Sequence, residues 1–154
     1  MAGTLTPERT AERLCELSAD ARAAVLLDAA GSLAGFHGVP DERSEELAEL
    51  ARELFEAVDR ADRDIPGGPP EQVETQVEGG TVYASRTPRW TLAMVGRRAA
   101  LSSLMLMDLR AVLGELEEGR RIHRSSAAEE PGTGEATEEE AAGESPVPEL
   151  GREP

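Results

Sequence analysis

The chain contains no lysine: all 16 of its basic residues are arginine. A Walker A loop sets a lysine amine on the β- and γ-phosphates, a protein kinase uses one on its third strand, and Schiff-base catalysis needs one as nucleophile. None of these chemistries is open to it. Cysteine is nearly as scarce. Cys15 stands alone, which excludes an intrachain disulfide and zinc sites of the Cys₄ or Cys₂His₂ kind. The aromatics are Phe36, Phe55, Tyr83 and Trp90, too few and too scattered for a base-stacking platform. No apolar run reaches the ~18 residues of a membrane span, and no basic stretch followed by an apolar one opens the chain. The expectation is a cytoplasmic protein that does not insert into membranes.

Negative charge is abundant instead. The net charge is −15, and it divides unevenly. Residues 1–124 hold 22 acids against 15 arginines, and residues 125–154 hold 9 against one. An acidic body opposes counterion-release binding to a phosphate backbone, so nucleic acid is not an expected partner. With 154 residues the chain has material for one domain with a modest core.

Periodicity supplies the element order. Thr6-Pro7 opens a short helix, threonine being a capping residue and proline preorganised at the first helical position. Ala11, Leu14, Cys15 and Ser18 line its apolar face. The continuous apolar run within Ala21–Asp28 fits a strand buried on both faces. Asp28-Ala-Ala-Gly31 reverses the chain, and Ser32–Phe36 returns as a second strand.

Asp41–Asp62 is a long amphipathic helix, expected to be capped by Asp41, with acids in its first turn and Arg60 and Arg63 near its negative end. Leu47, Leu50, Ala51, Leu54, Phe55, Val58 and Ala61 form its apolar stripe. Ile65-Pro-Gly-Gly-Pro-Pro70 interrupts regular structure. Three strands follow, Val73–Val77, Thr81–Ser85 and Trp90–Val95, joined by a Gly79-Gly80 turn and by Thr87-Pro88-Arg89. A last helix runs to about Glu118, with Leu101, Leu104, Met105, Leu109, Val112, Leu113 and Leu116 on its buried face. The order predicts an α/β (α+β) domain over 8–118 with an antiparallel sheet. Residues 1–7 are a lead-in, and 119–154 are a disordered acidic tail rich in Pro, Gly and Glu.

No constellation carries catalysis, a cofactor or a metal. His37 and His123 lie far apart and lack the further ligands that a metal needs. Cys15 sits on an apolar helix face, where a free cysteine is a small core residue, and no third group orients it against His37. Glu42, Glu45, Glu46 and Glu49 suit the positive end of a helix dipole rather than a calcium loop. Met94 and Met105 fit core faces, whereas Met107 lies off the stripe and is a candidate for contact with another chain. Arg97 and Arg98 could supply an arginine finger to a GTPase, but the simpler reading is a solvated flank of the last helix.

The set of Val25-Leu-Leu-Asp-Ala-Ala-Gly31, the long central helix, Gln76–Tyr83, Trp90–Val95 and the closing Leu/Met-rich helix resembles the Roadblock/dynein light-chain family, in particular a bacterial, actinobacterial-like branch. The resemblance implies a five-stranded antiparallel sheet with the central helix on one face and the terminal two on the other. It implies a homodimer joined edge to edge, and a non-catalytic scaffold or regulator of a small Ras-like GTPase. A strand at the start of the meander is expected at a sheet edge, and an open edge is a template for another chain. The expected dimer interface is therefore Leu47, Leu50, Leu54, Val73, Thr75 and Val77, with Arg97, Arg98 and Met107 as partner contacts. The alternatives are a small-molecule-sensing module of the PAS or GAF kind and a general protein-interaction adaptor.

Overall fold

The computed structural model describes residues 3–62, 66–68 and 70–144, with side chains described as far as 125. Arg63, expected near the negative end of the central helix, the breaker residue Ile65 and the last stretch of the tail, 145–154, lie outside the described residues. The elements are α1 (Pro7–Leu17), β1 (Ala21–Leu27), β2 (Leu33–His37), α2 (Asp41–Asp62), β3 (Gln72–Val77), β4 (Gly80–Arg86), β5 (Thr91–Gly96) and α3 (Ser102–Glu144). Their order is the one read from the periodicity. All strand pairs are antiparallel, in the sheet order β2-β1-β5-β4-β3.

β1 explains the layering. Its alternate side chains point to opposite faces, and both faces are covered. Ala23, Val25 and Leu27 join the core under α2, with Leu47, Ala48, Ala51, Phe55, Val82, Ala84 and Ala93. Ala24 and Leu26 join a second core with Ala11 and Leu14 of α1, with Tyr83, Leu92 and Met94, and with Met105, Leu109, Val112, Leu113 and Leu116 of α3. Each fully buried leucine contributes roughly 1.5–3 kcal/mol, so the sheet is fixed from both sides.

Backbone detail departs from expectation in four places. At α1 the Thr6 side chain makes no cap bond; the Thr6 carbonyl instead accepts from Arg9 N–H at 3.1 Å and from Thr10 Oγ1 at 2.8 Å. At α2 the Pro40 carbonyl accepts the Ser44 N–H at 3.0 Å. Asp41 is thus already helical, and its own carbonyl accepts the Ser44 hydroxyl. The hairpin turn is Glu78-Gly79, because Gly80 already pairs with Val77. Gly79 has φ 96, while Gly80 lies under the neighbouring strand, where a Cβ would stand 2.6 Å from the Gly96 carbonyl oxygen. Finally, Leu101 and Leu104 are 64% and 43% exposed and do not belong to the buried face of α3. Leu101 precedes the helix and caps it through its carbonyl, which accepts from Met105 N–H at 3.0 Å. Leu104 is one residue, or about 100° of helix, away from buried Met105.

α3 continues to Glu144, past the end at about Glu118 that composition indicates and through Pro131, Gly132 and Gly134. The chain divides between Glu117 and Glu118 into two units, Met1–Glu117 and Glu118–Pro154. The sheet, both cores and all the sites described below belong to the first.

Candidate functional site

β3 is one of the two sheet edges. It pairs with β4 from Gln72↔Ser85 to Val77↔Gly80 without a register shift. Val77 and Gly80 flank a two-residue turn and so form a hydrogen-bonded pair. The same parity recurs at the other end, where Arg86 N–H donates to the Glu71 carbonyl at 2.9 Å. Glu71, Val73, Thr75 and Val77 therefore direct their main-chain groups at β4. Gln72, Glu74 and Gln76 direct theirs away from the sheet.

The side chains follow the same alternation. Val73 and Thr75 stand opposite Ala84 and Val82, both in the core under α2, so Val73, Thr75 and Val77 share the α2 face. On that face Leu50, Leu54, Val73 and Val77 are only partly buried. Leu47 is almost wholly buried, at 7% exposure, leaving little of it for another chain. A groove of about 400 Å³ between α2 and the sheet is lined by Leu47, Leu50, Val77, Val82 and Val95, with Arg22 and Arg43 also at its walls. The structure thus brings the six expected interface residues to one face, with their free surface supplied chiefly by Leu50, Leu54 and β3.

Two arginines hold this face in shape. Arg52 on α2 donates to the Gly31 carbonyl at 2.7 Å, pinning the β1–β2 turn. Asp28 Oδ1 organises that turn by accepting from the N–H groups of Ala30 and Ser32, each at 2.9 Å, and Gly31 takes φ 85. Arg86 leaves the sheet beneath α2, with its guanidinium 4.3 Å from the centre of the Phe55 ring. It is paired with both Asp59 oxygens and donates to the Pro70 carbonyl at 3.2 Å. The Arg86 hydrogen bonds hold the Asp59 carboxyl below the ordinary aspartate value. Neither arginine was singled out by sequence reasoning. For Arg86 the available signal was a charge at the end of a strand, where it needs a partner; Arg52, on α2, offered none.

Arg97, Arg98 and Met107 lie elsewhere, at the β5–α3 turn and on α3, and all three are exposed. Leu101, Leu104 and Met107 recur at three-residue intervals and add an apolar row there. Among the described residues no group of His, Cys, Asp and Glu is placed to hold a metal, and no helix is long and apolar enough to cross a membrane. Burial pushes the Cys15 thiol above its ordinary value, the reverse of what activates a nucleophile. An open groove of about 960 Å³ at the other end of the sheet is lined by residues of the β4–β5 turn with Asp28, Asp59 and Arg86, whose charges are already engaged.

A family model described as Roadblock/LC7 domain matches residues 10–95, the span from α1 through β5. None of the curated proteins compared with the chain matches it. Among solved structures it is similar to the Roadblock/LC7 domain from Streptomyces avermitilis, with 19% identity over 74% of this chain and 97% of that one, at a TM-score of 0.66. It is similar to Myxococcus xanthus MglB, with 18% identity over 77% of this chain and 87% of that one, at 0.62. The gliding protein MglB from Thermus thermophilus gives 16% identity over 77% and 97%, at 0.61. At such identities the likeness is one of fold. The family model spans more than half of the sequence and every strand of the sheet, and the chain belongs to the Roadblock/LC7 domain family.

Proposed function

We propose that this protein is a homodimeric, non-catalytic regulator or scaffold of a small Ras-like GTPase. Membership of the Roadblock/LC7 family carries the reading, since the resemblance implies that role. The geometry supports its dimeric part: an uninterrupted strand with free main-chain groups lies beside a helix whose apolar stripe is only partly used. A solved structure described as MglB with tetrameric arrangement is in keeping with a fold that assembles. Leu50, Leu54, Val73, Thr75 and Val77, with Leu47 beneath them, form the dimer interface. Arg97, Arg98 and Met107 contact the partner, joined there by Leu101 and Leu104.

The test is capture from host lysate on the immobilised protein, with GDP and with a non-hydrolysable GTP analogue, followed by mass spectrometry. A small GTPase retained differently in the two nucleotide states is the expected outcome. Other proteins retained equally in both states would make this an adaptor instead. Retention of none, with stabilisation by a metabolite panel, would favour the sensor reading.

A further inference from the structure

We infer that the exposed face at the start of α3 docks an acidic amphipathic helix of a partner protein, whose carboxylates pair with Arg97, Arg98 and Arg110. This rests on the partner-contact reading above and adds the chemistry of the partner to it.

The apolar part is a helix face with nothing over it. Leu101, Leu104 and Met107 are 64%, 43% and 58% exposed. Ala111 and Gly114 continue the line of Leu104 and Met107 along the helix, and both are exposed. A Cβ at Gly114 would meet nothing within 4 Å beyond its own stretch of helix. Large side chains at one end of the row and small ones at the other let a second helix lie close along it. From Leu104 to Gly114 the row is about 15 Å long, on the order of three turns. The complement is a helix of similar length with apolar residues at three- and four-residue spacing.

Charge supplies the rest of the partner's description. Residues 1–124 hold 22 acids against 15 arginines, yet the stretch from Arg97 to Gly114 holds three arginines and a single acid, Asp108. All three arginines are exposed. None of them forms an ion pair among the described residues, whereas Arg13, Arg52, Arg86 and Arg89 each hold a carboxylate. Arg97 and Arg98 stand before the row and Arg110 beside it. The positive end of the α3 dipole lies at the same place, with the free N–H groups of the first turn. Guanidinium groups around an apolar row match carboxylates around an apolar stripe, in charge-assisted pairs.

Other occupants fit less well. A twofold contact between two copies through this face would set the arginines against their own counterparts, a like-charge arrangement. An anionic membrane would repel the molecule, which carries −15 overall. The acidic segment is local to the contact and leaves the partner's net charge free.

Photocross-linking reads what covers the face. In the full chain, p-benzoylphenylalanine replaces Met107 in one protein and Glu53, exposed on α2, in a control. Each is irradiated in host lysate, and the cross-linked peptides are sequenced by mass spectrometry. The Met107 position is expected to cross-link to a segment with apolar residues at helical spacing and Asp or Glu on both flanks. Adding R97E, R98E and R110E is expected to lower the yield at least about tenfold at an unchanged urea midpoint, and raised salt to lower it without them. A basic segment, a peptide of this chain, a lipid adduct, or a yield no higher than at Glu53 would overturn the inference. So would a yield indifferent to charge reversal in the folded triple variant, or indifferent to salt if that variant does not fold. An acidic amphipathic segment from a protein other than a GTPase would overturn the GTPase reading and leave this contact standing. A GTPase retained in one nucleotide state but not cross-linked at Met107 would do the reverse.

Discussion

At the scale of single residues, the side chains that hold loops in place are polar ones engaged with backbone. Asp28 closes the β1–β2 turn by accepting two N–H groups, and Arg52 fixes that turn to α2 through the Gly31 carbonyl. Asp28→Ala leaves both N–H groups without their acceptor and is expected to lower unfolding free energy by about 1–3 kcal/mol, measured by urea denaturation. An unchanged midpoint would mean that water replaces the carboxylate without loss. The Asp59–Arg86 pair adds a pH dependence. The Asp59 carboxyl is lowered from its ordinary value of 3.8, so the unfolded chain binds the proton more readily than the folded one. The pair's stabilisation is therefore complete above the unfolded value and lost as pH falls through the lower folded value. Stability profiles of the wild type and Asp59→Asn are expected to run parallel at neutral pH and to converge below about pH 4. Asp59 is half exposed, so the difference should also shrink with salt. Parallel profiles down to the acid limit would show that the pair adds nothing.

At the scale of elements, periodic segments were legible in the sequence, α2 to both of its ends, while turn positions and cap partners were not. The stripe from Leu47 to Ala61 located α2 because its repeat has only one cylindrical solution, and the apolar run of β1 announced a strand covered twice. The turn at Glu78-Gly79 was displaced by one residue in the sequence reading. Two adjacent glycines satisfy a turn equally well by propensity, and only the close approach of Gly96 to Gly80 assigns the second one to β4. Arg86 was missed for a similar reason: Phe55 and Asp59 share a face of α2, but nothing local connects them to a strand 27 residues on. On α3, Leu101 and Leu104 passed as core because every large apolar residue fits a broad stripe. Packing separates them, and so should mutation. Leu109→Ala is expected to cost about 2–5 kcal/mol by cavity formation, since Leu109 is fully buried. Leu104→Ser should change stability by less than about 0.5 kcal/mol, as an exposed site, while reducing capture of the bound protein. Equal losses at the two positions would return Leu104 to the core.

At the scale of the whole molecule, about half of the net charge lies beyond the residues that build the cores. The cores are built from residues up to Leu116, and the division falls just beyond, at Glu117/Glu118. Residues 125–154 nevertheless carry 9 of the 31 acids against a single arginine. Removing them changes the long-range field of the protein more than its packing. A chain ending at Arg124 keeps Arg120, Arg121 and Arg124 at the negative end of the shortened helix, where they favour the dipole. It is expected to unfold within about 0.5 kcal/mol of the full chain, as removal of groups outside a core should, and to keep the oligomeric state of the full chain. Its association with a basic partner should slow and lose part of its salt dependence, because steering scales with the summed charge of the molecule. Stopped-flow association at two ionic strengths, beside urea unfolding of both chains, separates the two effects. A large loss of stability would mean that the acidic segment packs as part of the fold. Unchanged association rates at low salt would mean that its charge does not reach the partner.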